Sequence, residues 1–423
     1  MIDPNLIVTI DREVGWRICW ALTQVGKITR RKLVKPKKIK KILFIKLSEM
    51  GSTVLAYPTI QAAKHHFPDA KIYFLTFKGN EKLIEILDVA PKKNVFSLDI
   101  FSLSGLFLDL FKIVKKLRSE KIDVVIDLEL LSRISAILVF LIKAPLQTGF
   151  QGYQTEGLYR GKFFTHRVLY NHYLHTSLAF LTLVESLLRH PETEMPLLKK
   201  SLQSANLELP RIKSSQKDKE KLWQKLQAVQ PEINPSLKLV VFNTRGGDFL
   251  PARRWPKEKF IQLGKILLKN PHLGLILAGL ENDHDYNQEI ALAIAHPHCA
   301  NFAGQTNFHE LLTLFNLSHL FITNDSGPAH FAALTPIYII TLFGVETPLL
   351  YSPLSNRNIS ISAGLACSPC VSAYNARYSI CNNNLCVQKI SVGEVLTQAQ
   401  KILGLPSPKQ TDKTAVKPKK LLL

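Results

Sequence analysis

Twice along this chain a run of β-branched and aromatic residues ends at a small polar corner and passes straight into a helical pattern: KKILFIKLSEMGSTVLAYP from Lys40 and HLFITNDSGPAHFAA from His319. A short, wholly apolar run marks a strand buried on both faces, which a parallel sheet covered by helices provides. Successive strands joined by a helix close a right-handed crossover. The pattern therefore predicts an α/β chain with helices on both faces of its sheets.

The alternation runs through both halves. In the first, residues 42–45, 71–77 and 122–128 and the segment NVFSLDI read as strands, with helices over 52–66, 103–121 and 132–142. In the second, LKLVVFNTRGG, LGLILAGL, the run before Asn324 and IYIITLFG read as strands, with helices over 256–269 and near 288–295. At 423 residues the chain is too long for one core, and a 46% hydrophobic content supplies two. The expected organisation is a basic amphipathic extension (1–41), a first Rossmann-like domain (42–205) and a hydrophilic linker (206–236). A second Rossmann-like domain (237–404) and a disordered basic tail (405–423) follow. Two such domains in tandem leave a cleft suited to a small molecule.

Charge bounds the partners. There are 54 Lys and Arg against 33 Asp and Glu, a formal +21, densest in GKITRRKLVKPKKIKK over 26–41. Such a run is either a solvated linker or a polyanion-binding segment. Just upstream, Val14, Ile18, Leu22, Val25 and Ile28 recur at helical spacing beside Trp16 and Trp20. That helix suits a membrane interface, and one packed on the protein's own surface would look the same. With no zinc finger or aromatic-interleaved basic motif, an anionic membrane surface is the expected partner and nucleic acid is not. No apolar run reaches the roughly 20 residues that span a bilayer. Asp3, Asp11 and Glu13 precede any apolar segment, unlike a secretory signal. The expected location is the cytoplasmic face of the inner membrane, as a peripheral protein.

Open parallel sheets bind ligands beyond the carboxyl ends of their strands. Asp325, Ser326 and Gly327 stand at such an end, with Pro328 and His330 in the first turn of the following helix. This is ordinary capping chemistry, but Gly327 permits close approach and His330 falls where it faces the same ligand. The first-domain corner has the single glycine Gly51, not the G-x-G-x-x-G fingerprint, which disfavours a dinucleotide cofactor.

The segments SEMGSTVLAYPTIQAAKHHFPDAKI, RRWPKEKF, FAGQTNFHELLTLF and NDSGPAHFAA followed by TLFG resemble glycosyltransferase family 9, the heptosyltransferases of the lipopolysaccharide core. The resemblance runs from about Lys41 to Leu403, and its most specific element is the D-[ST]-G-x-x-H corner. It implies a GT-B architecture with two Rossmann-like domains. It also implies inverting, metal-independent transfer from a nucleotide-sugar donor, typically an ADP-heptose, to a glycolipid or cell-envelope saccharide. Carried onto these residues, it places the donor at Asp325, Ser326, Gly327 and His330, with Arg253 or Arg254 near the pyrophosphate. Asn243 and Thr244 end a strand on the same cleft, and Glu281 or Asp283 meets the nucleoside. Where the family carries a Gly-Asp pair, whose aspartate is the general base, this chain has Gly51-Ser52. A serine hydroxyl cannot take a proton near neutral pH, which leaves Glu49, three residues earlier, as the candidate base.

Cys367, Cys370, Cys381 and Cys386 form C-x2-C-x10-C-x4-C, which suggests either a structural zinc or free thiols. No cofactor is expected to be required for catalysis. Two rival readings remain open. One is a nucleotide-sugar-binding protein that has lost catalysis, motivated by Ser52. The other is a polyanion-binding or membrane-binding protein on the same scaffold, motivated by the charge.

Overall fold

The computed structural model describes residues 9–28, 38–99, 103–151, 159–190, 198–202, 204–246, 250–373, 375 and 377–406. Most of the basic run and the tail from 407 lie outside the described residues.

Twelve strands are described: β1 (Lys41–Ile45), β2 (Lys71–Phe77), β3 (Val95–Leu98), β4 (Val124–Asp127), β5 (Leu146–Phe150), β6 (His166–Val168), β7 (Lys238–Asn243), β8 (Leu273–Ala278), β9 (Cys299–Asn301), β10 (Leu320–Asn324), β11 (Tyr338–Phe343) and β12 (Asn358–Ser362). They form two parallel sheets, ordered β3-β2-β1-β4-β5-β6 and β12-β11-β10-β7-β8-β9. Numbered within its own domain, the second sheet repeats the order 3-2-1-4-5-6 of the first. In each, the order in which strands are added reverses between the two central strands, β1/β4 and β7/β10, and ligands of open α/β sheets bind beyond that switch point. Both corners singled out in the sequence lie there. The central strands are buried on both faces, as their apolar runs require.

Several elements differ from the expectation for physical reasons. The helix expected over 52–66 starts earlier and breaks in two, Met50–Leu55 and Tyr57–His66, around Ala56. Pro58 in the first turn of the second piece has no N–H to continue the ladder. The expected linker over 206–236 is not one. It carries the helix Gln216–Val229, which packs on Phe308–Leu317 through Leu222 and Leu226 and is tied by Lys225 to Glu310. Just before it, the Ile212 N–H donates to the Leu334 carbonyl and the Arg211 guanidinium to that of Thr335. From Arg211 onward the chain thus belongs to the second domain.

The N-terminal helix Trp16–Ile28 docks on the first domain through its small face. Gly15, Cys19 and Thr23 are buried against the helix Arg133–Ile142, and Asp11 accepts from the Arg133 and Ile134 N–H groups at the start of that helix. The large apolar residues point outward: Trp16, Ile18, Trp20, Val25 and Ile28 are exposed. No helix among the described residues is long and apolar enough to cross a membrane.

The two domains meet at their corners. The short helices Met50–Leu55 and Gly327–Ala332 pack on one another, and Gly51 makes this possible. A Cβ at Gly51 would stand 2.7 Å from His330 Cδ2 and 3.2 Å from Gly327 Cα. Beside this contact, His175 Nε2 donates to the Ser352 carbonyl at 2.9 Å.

Candidate active site

On the first-domain side, the loop after β1 is held from below. Lys46 is buried with its Nζ 3.0 Å from Glu129 Oε1, and the same oxygen accepts from the Leu47 and Ser48 N–H groups at 2.7 and 3.1 Å. Desolvation pulls the Lys46 ammonium below its ordinary pKa, opposed by Glu129. So braced, the loop carries Glu49 at φ 60°, a left-handed conformation costing a non-glycine residue about 1–3 kcal/mol and concentrated at functional sites. The Glu49 carboxylate is part-exposed. It receives the Ser52 hydroxyl at 3.3 Å, lies 3.7 Å from Lys46 Nζ and pairs with Arg377. Ser52 also donates to the Glu49 carbonyl at 2.8 Å. Glu49 and Ser52 are therefore neighbours, with a carboxylate close to the position where the resemblance implies an aspartate.

On the second-domain side, Asn324 clamps three segments. Its Oδ1 accepts from the Trp255 N–H and its Nδ2 donates to the Thr244 carbonyl, both at 2.9 Å, so the corner, the end of β7 and the RRWP turn share one frame. Arg253 is thereby aimed at the corner. It donates from Nη1 to the Asp325 carbonyl at 3.4 Å, pairs through Nη2 with Glu346, and places Nε 3.6 Å from Asp325 Oδ2. Arg253, not Arg254, takes the position beside Asp325.

Burial sets the charges here. The Asp325 carboxyl is raised by desolvation, opposed by Arg253, and Glu346 is pushed up to about 8 by the same cause. Two carboxyls sharing one buried space hold one proton between them near neutrality. His330 is pulled down to about 3, by burial first and then by His175 and Arg253, so it is a neutral hydrogen-bonding group and not a cation. Ser326 Oγ lies 3.2 Å from Thr323 Oγ1, and its backbone opens the helix that begins at Gly327.

Among the described residues, Asn243 Oδ1, Arg253 Nε, Asp325 Oδ2, His330 Nδ1, Glu346 Oε1 and Arg377 Nε are buried here without a hydrogen-bond partner. A buried polar atom left without a hydrogen bond costs about 1–3 kcal/mol; four of the six make only longer ion contacts, Arg253 Nε with Asp325 Oδ2 and Arg377 Nε with Glu346 Oε1, and such a concentration is what a polar ligand relieves.

The other expected residues divide. Thr244 is used structurally, its hydroxyl donating to Asn287 Oδ1 at 2.6 Å. Asp283 accepts from the Leu280 N–H at 2.9 Å and faces Arg245 at 3.4 Å, which leaves the exposed Glu281 as the acid open to a nucleoside. The four clustered cysteines form no disulfide. Cys370 Sγ meets Ser379 Oγ, Cys381 Sγ meets the Asn383 carbonyl, Cys386 is buried beside Gly344, and Cys367 is exposed. As placed they are not a ligand set, and no group among the described residues is arranged to hold a metal. Sequence reasoning missed Glu346 and Arg377, and it placed Asn324 in the corner without its clamping role. The signal for Glu346 was a lone acid just past the end of a buried strand, in FGVETP.

A family model of glycosyltransferase family 9 (heptosyltransferase) matches residues 110–379, more than half of the chain. The chain belongs to glycosyltransferase family 9. It is a glycosyltransferase with the two-sheet architecture of that family. It is 27% identical over 322 residues to lipopolysaccharide heptosyltransferase 3 of Escherichia coli, covering 74% of this chain and 86% of that one. Lipopolysaccharide heptosyltransferase 2 of Salmonella typhimurium is 33% identical over 115 residues, only 26% of this chain and 33% of that enzyme. Among solved structures, E. coli ADP-heptose lipopolysaccharide heptosyltransferase II superposes with a TM-score of 0.66 at 19% identity, covering 86% of this chain and 98% of that one. An E. coli heptosyltransferase solved with ADP gives 0.59 at 14%, covering 86% and 99%. At these identities the structures speak to the fold.

Proposed function

We propose that this family 9 enzyme transfers a heptose-like sugar from a nucleoside diphosphate donor, ADP-linked, to a lipopolysaccharide-core or related envelope glycolipid, with inversion and without a metal. The names of the matching relatives and the ADP in one structural neighbour support the donor and acceptor classes. The observation that carries the reading is the set of buried atoms without a hydrogen bond on Arg253, Asp325, Glu346 and Asn243, joined to Glu49 of the first domain through Arg377.

In this reading the donor diphosphate lies against Arg253, with Ser326 and Asn243 as hydrogen-bonding groups. The Asp325–Glu346 pair, holding one proton, carries less negative charge than two free carboxylates and can accept from sugar hydroxyls. Glu281 meets the ribose. The acceptor hydroxyl attacks the anomeric carbon as the bond to the diphosphate breaks, through an oxocarbenium-like transition state. Glu49 takes the hydroxyl proton, and Arg253 stabilises the charge developing on the leaving nucleotide.

The enzyme works at the bilayer. The helix Trp16–Ile28 presents Trp16, Ile18, Trp20, Val25 and Ile28, and the helix Leu103–Ser119 presents Leu108 and Phe111. Both flank Arg133–Ile142, in one layer over the first sheet. Arg17, Lys27, Lys112 and Lys115 are exposed among them, which suits an anionic lipid surface on the cytoplasmic side. Full-length protein should co-sediment with vesicles of mixed phosphatidylglycerol and phosphatidylcholine, and lose most of that binding in Trp16→Ala/Trp20→Ala. Equal binding of that variant contradicts the placement.

The donor reading is tested by titrating ADP, UDP and GDP, each with and without Mg²⁺, into wild type, Asp325→Ala and Arg253→Ala. One nucleotide binding without metal, and weakened in both variants, supports it. No binding of any of the three removes the donor site from this corner.

A further inference from the structure

The cysteine-rich segment has one side chain in the cleft that neither a metal nor a donor site as described accounts for. Arg377 stands at φ 58°, left-handed like Glu49, with its N–H donating to the Ser372 carbonyl. Its side chain is nearly buried. The guanidinium lies over the Tyr351 ring, 5.4 Å from the centroid, and Nη2 donates to the Tyr351 hydroxyl at 3.3 Å. Nη1 pairs with Glu49 in the other domain, and Nε lies 3.8 Å from Glu346 Oε1 without a hydrogen bond. Burial lowers its pKa to about 10, which keeps it charged at neutrality.

Three carboxyls, Glu49, Asp325 and Glu346, surround two guanidiniums, Arg253 and Arg377, while Lys46 is held by Glu129. A diphosphate adds at least two further negative charges, and Arg253 is already shared between Asp325 and Glu346. Among the described residues, the second guanidinium also has a donor without a hydrogen bond beside Glu346, and a guanidinium fork matches phosphate oxygens bidentately. A carboxylate held by arginine is a poor proton acceptor, because the cation favours its ionised form.

We propose that Arg377 is a donor-diphosphate ligand that also gates the base: it pairs with Glu49 in the empty enzyme and transfers to the diphosphate when the donor binds, leaving Glu49 able to take the acceptor's proton. Transfer is then ordered, donor before acceptor, and the cysteine-rich segment acts as the arm that carries the gate. This rests on the donor reading above and adds the residue that links the two halves of the site.

The pairing makes opposite predictions for its two partners. Arg377→Gln loses a diphosphate ligand, so its affinity for ADP should fall at least about 10-fold while its affinity for adenosine stays within about 2-fold of wild type. Glu49→Gln frees the guanidinium, so ADP should bind about 2- to 10-fold more tightly. Arg377→Lys, a charge without the fork, should fall between. A purely structural arm would lower the melting temperature of Arg377→Gln and leave the ADP-to-adenosine affinity ratio unchanged. That unchanged ratio, or weaker ADP binding in Glu49→Gln, overturns the proposal while the donor site stands. If wild type itself binds no ADP, UDP or GDP, the donor reading fails and the gate with it.

Discussion

Gly51→Ala tests whether the two corners meet in the working enzyme. The added methyl would lie 2.7 Å from His330 Cδ2, where carbon atoms pack at about 3.5–4.0 Å, so something must retreat by about 1 Å. Little can yield, because the His330 ring is buried and the Gly327 backbone stands 3.2 Å from the same point. Overpacking of this kind costs about 1–3 kcal/mol, and replacing a helical glycine by alanine returns up to about 1 kcal/mol. The net loss is about 0–2 kcal/mol, up to about 8 °C in melting temperature for domains of this size. Activity should suffer far more, since about 1 Å between the base and the donor corner corresponds to roughly 10²-fold in rate. Differential scanning calorimetry and steady-state transfer assays read the two effects. His330→Ala in the same chain should recover part of the lost stability, because the collision partner is gone. A Gly51→Ala enzyme with wild-type stability and turnover would refute the reasoning.

Two further outcomes follow from the corner's frame and its charges. Asn324→Ala leaves the Trp255 N–H and the Thr244 carbonyl without their partners, and at about 1–3 kcal/mol for each buried orphan the loss is about 2–6 kcal/mol by denaturant unfolding; a loss below about 1 kcal/mol contradicts the clamp. Glu346 has a folded pKa raised from 4.5 to about 8, so the folded state holds a proton that the unfolded chain releases, and stability is full below about pH 4.5 and declines as pH rises towards 8. Glu346→Gln should flatten that decline in a series of melting temperatures, whereas parallel curves for the two proteins would contradict a shared buried proton.

The sequence disclosed what repeats locally. Runs such as ILFI and LFIT are buried on both faces and become central strands, and the polar corners after them fall at the switch points because each ends the first or fourth strand of its sheet. What stayed hidden was short, polar or long-range. The edge strand β12, NISIS, alternates too weakly to stand out, and the helix Gln216–Val229 hides its Leu222–Leu226 stripe in a charged stretch. The outward set of apolar residues on Trp16–Ile28 was legible, but the inward set, glycine, cysteine and threonine, carries no hydrophobic period. Asp325 could be named from its corner, and Arg253 and Glu49 from the family resemblance. Glu346 and Arg377 could not, because the packing of the second domain brings a residue after β11 and another from the cysteine-rich arm beside Arg253 and Asp325, and only the contact between the domains brings Arg377 to Glu49.

The measurement closest to the central claim is transfer by Glu49→Gln at saturating donor, read together with its ADP affinity. The account predicts a turnover number lower by roughly 10²- to 10⁴-fold, the usual contribution of a general base, with ADP bound at least as tightly as by wild type. Turnover within a few-fold of wild type would place the base elsewhere and contradict it.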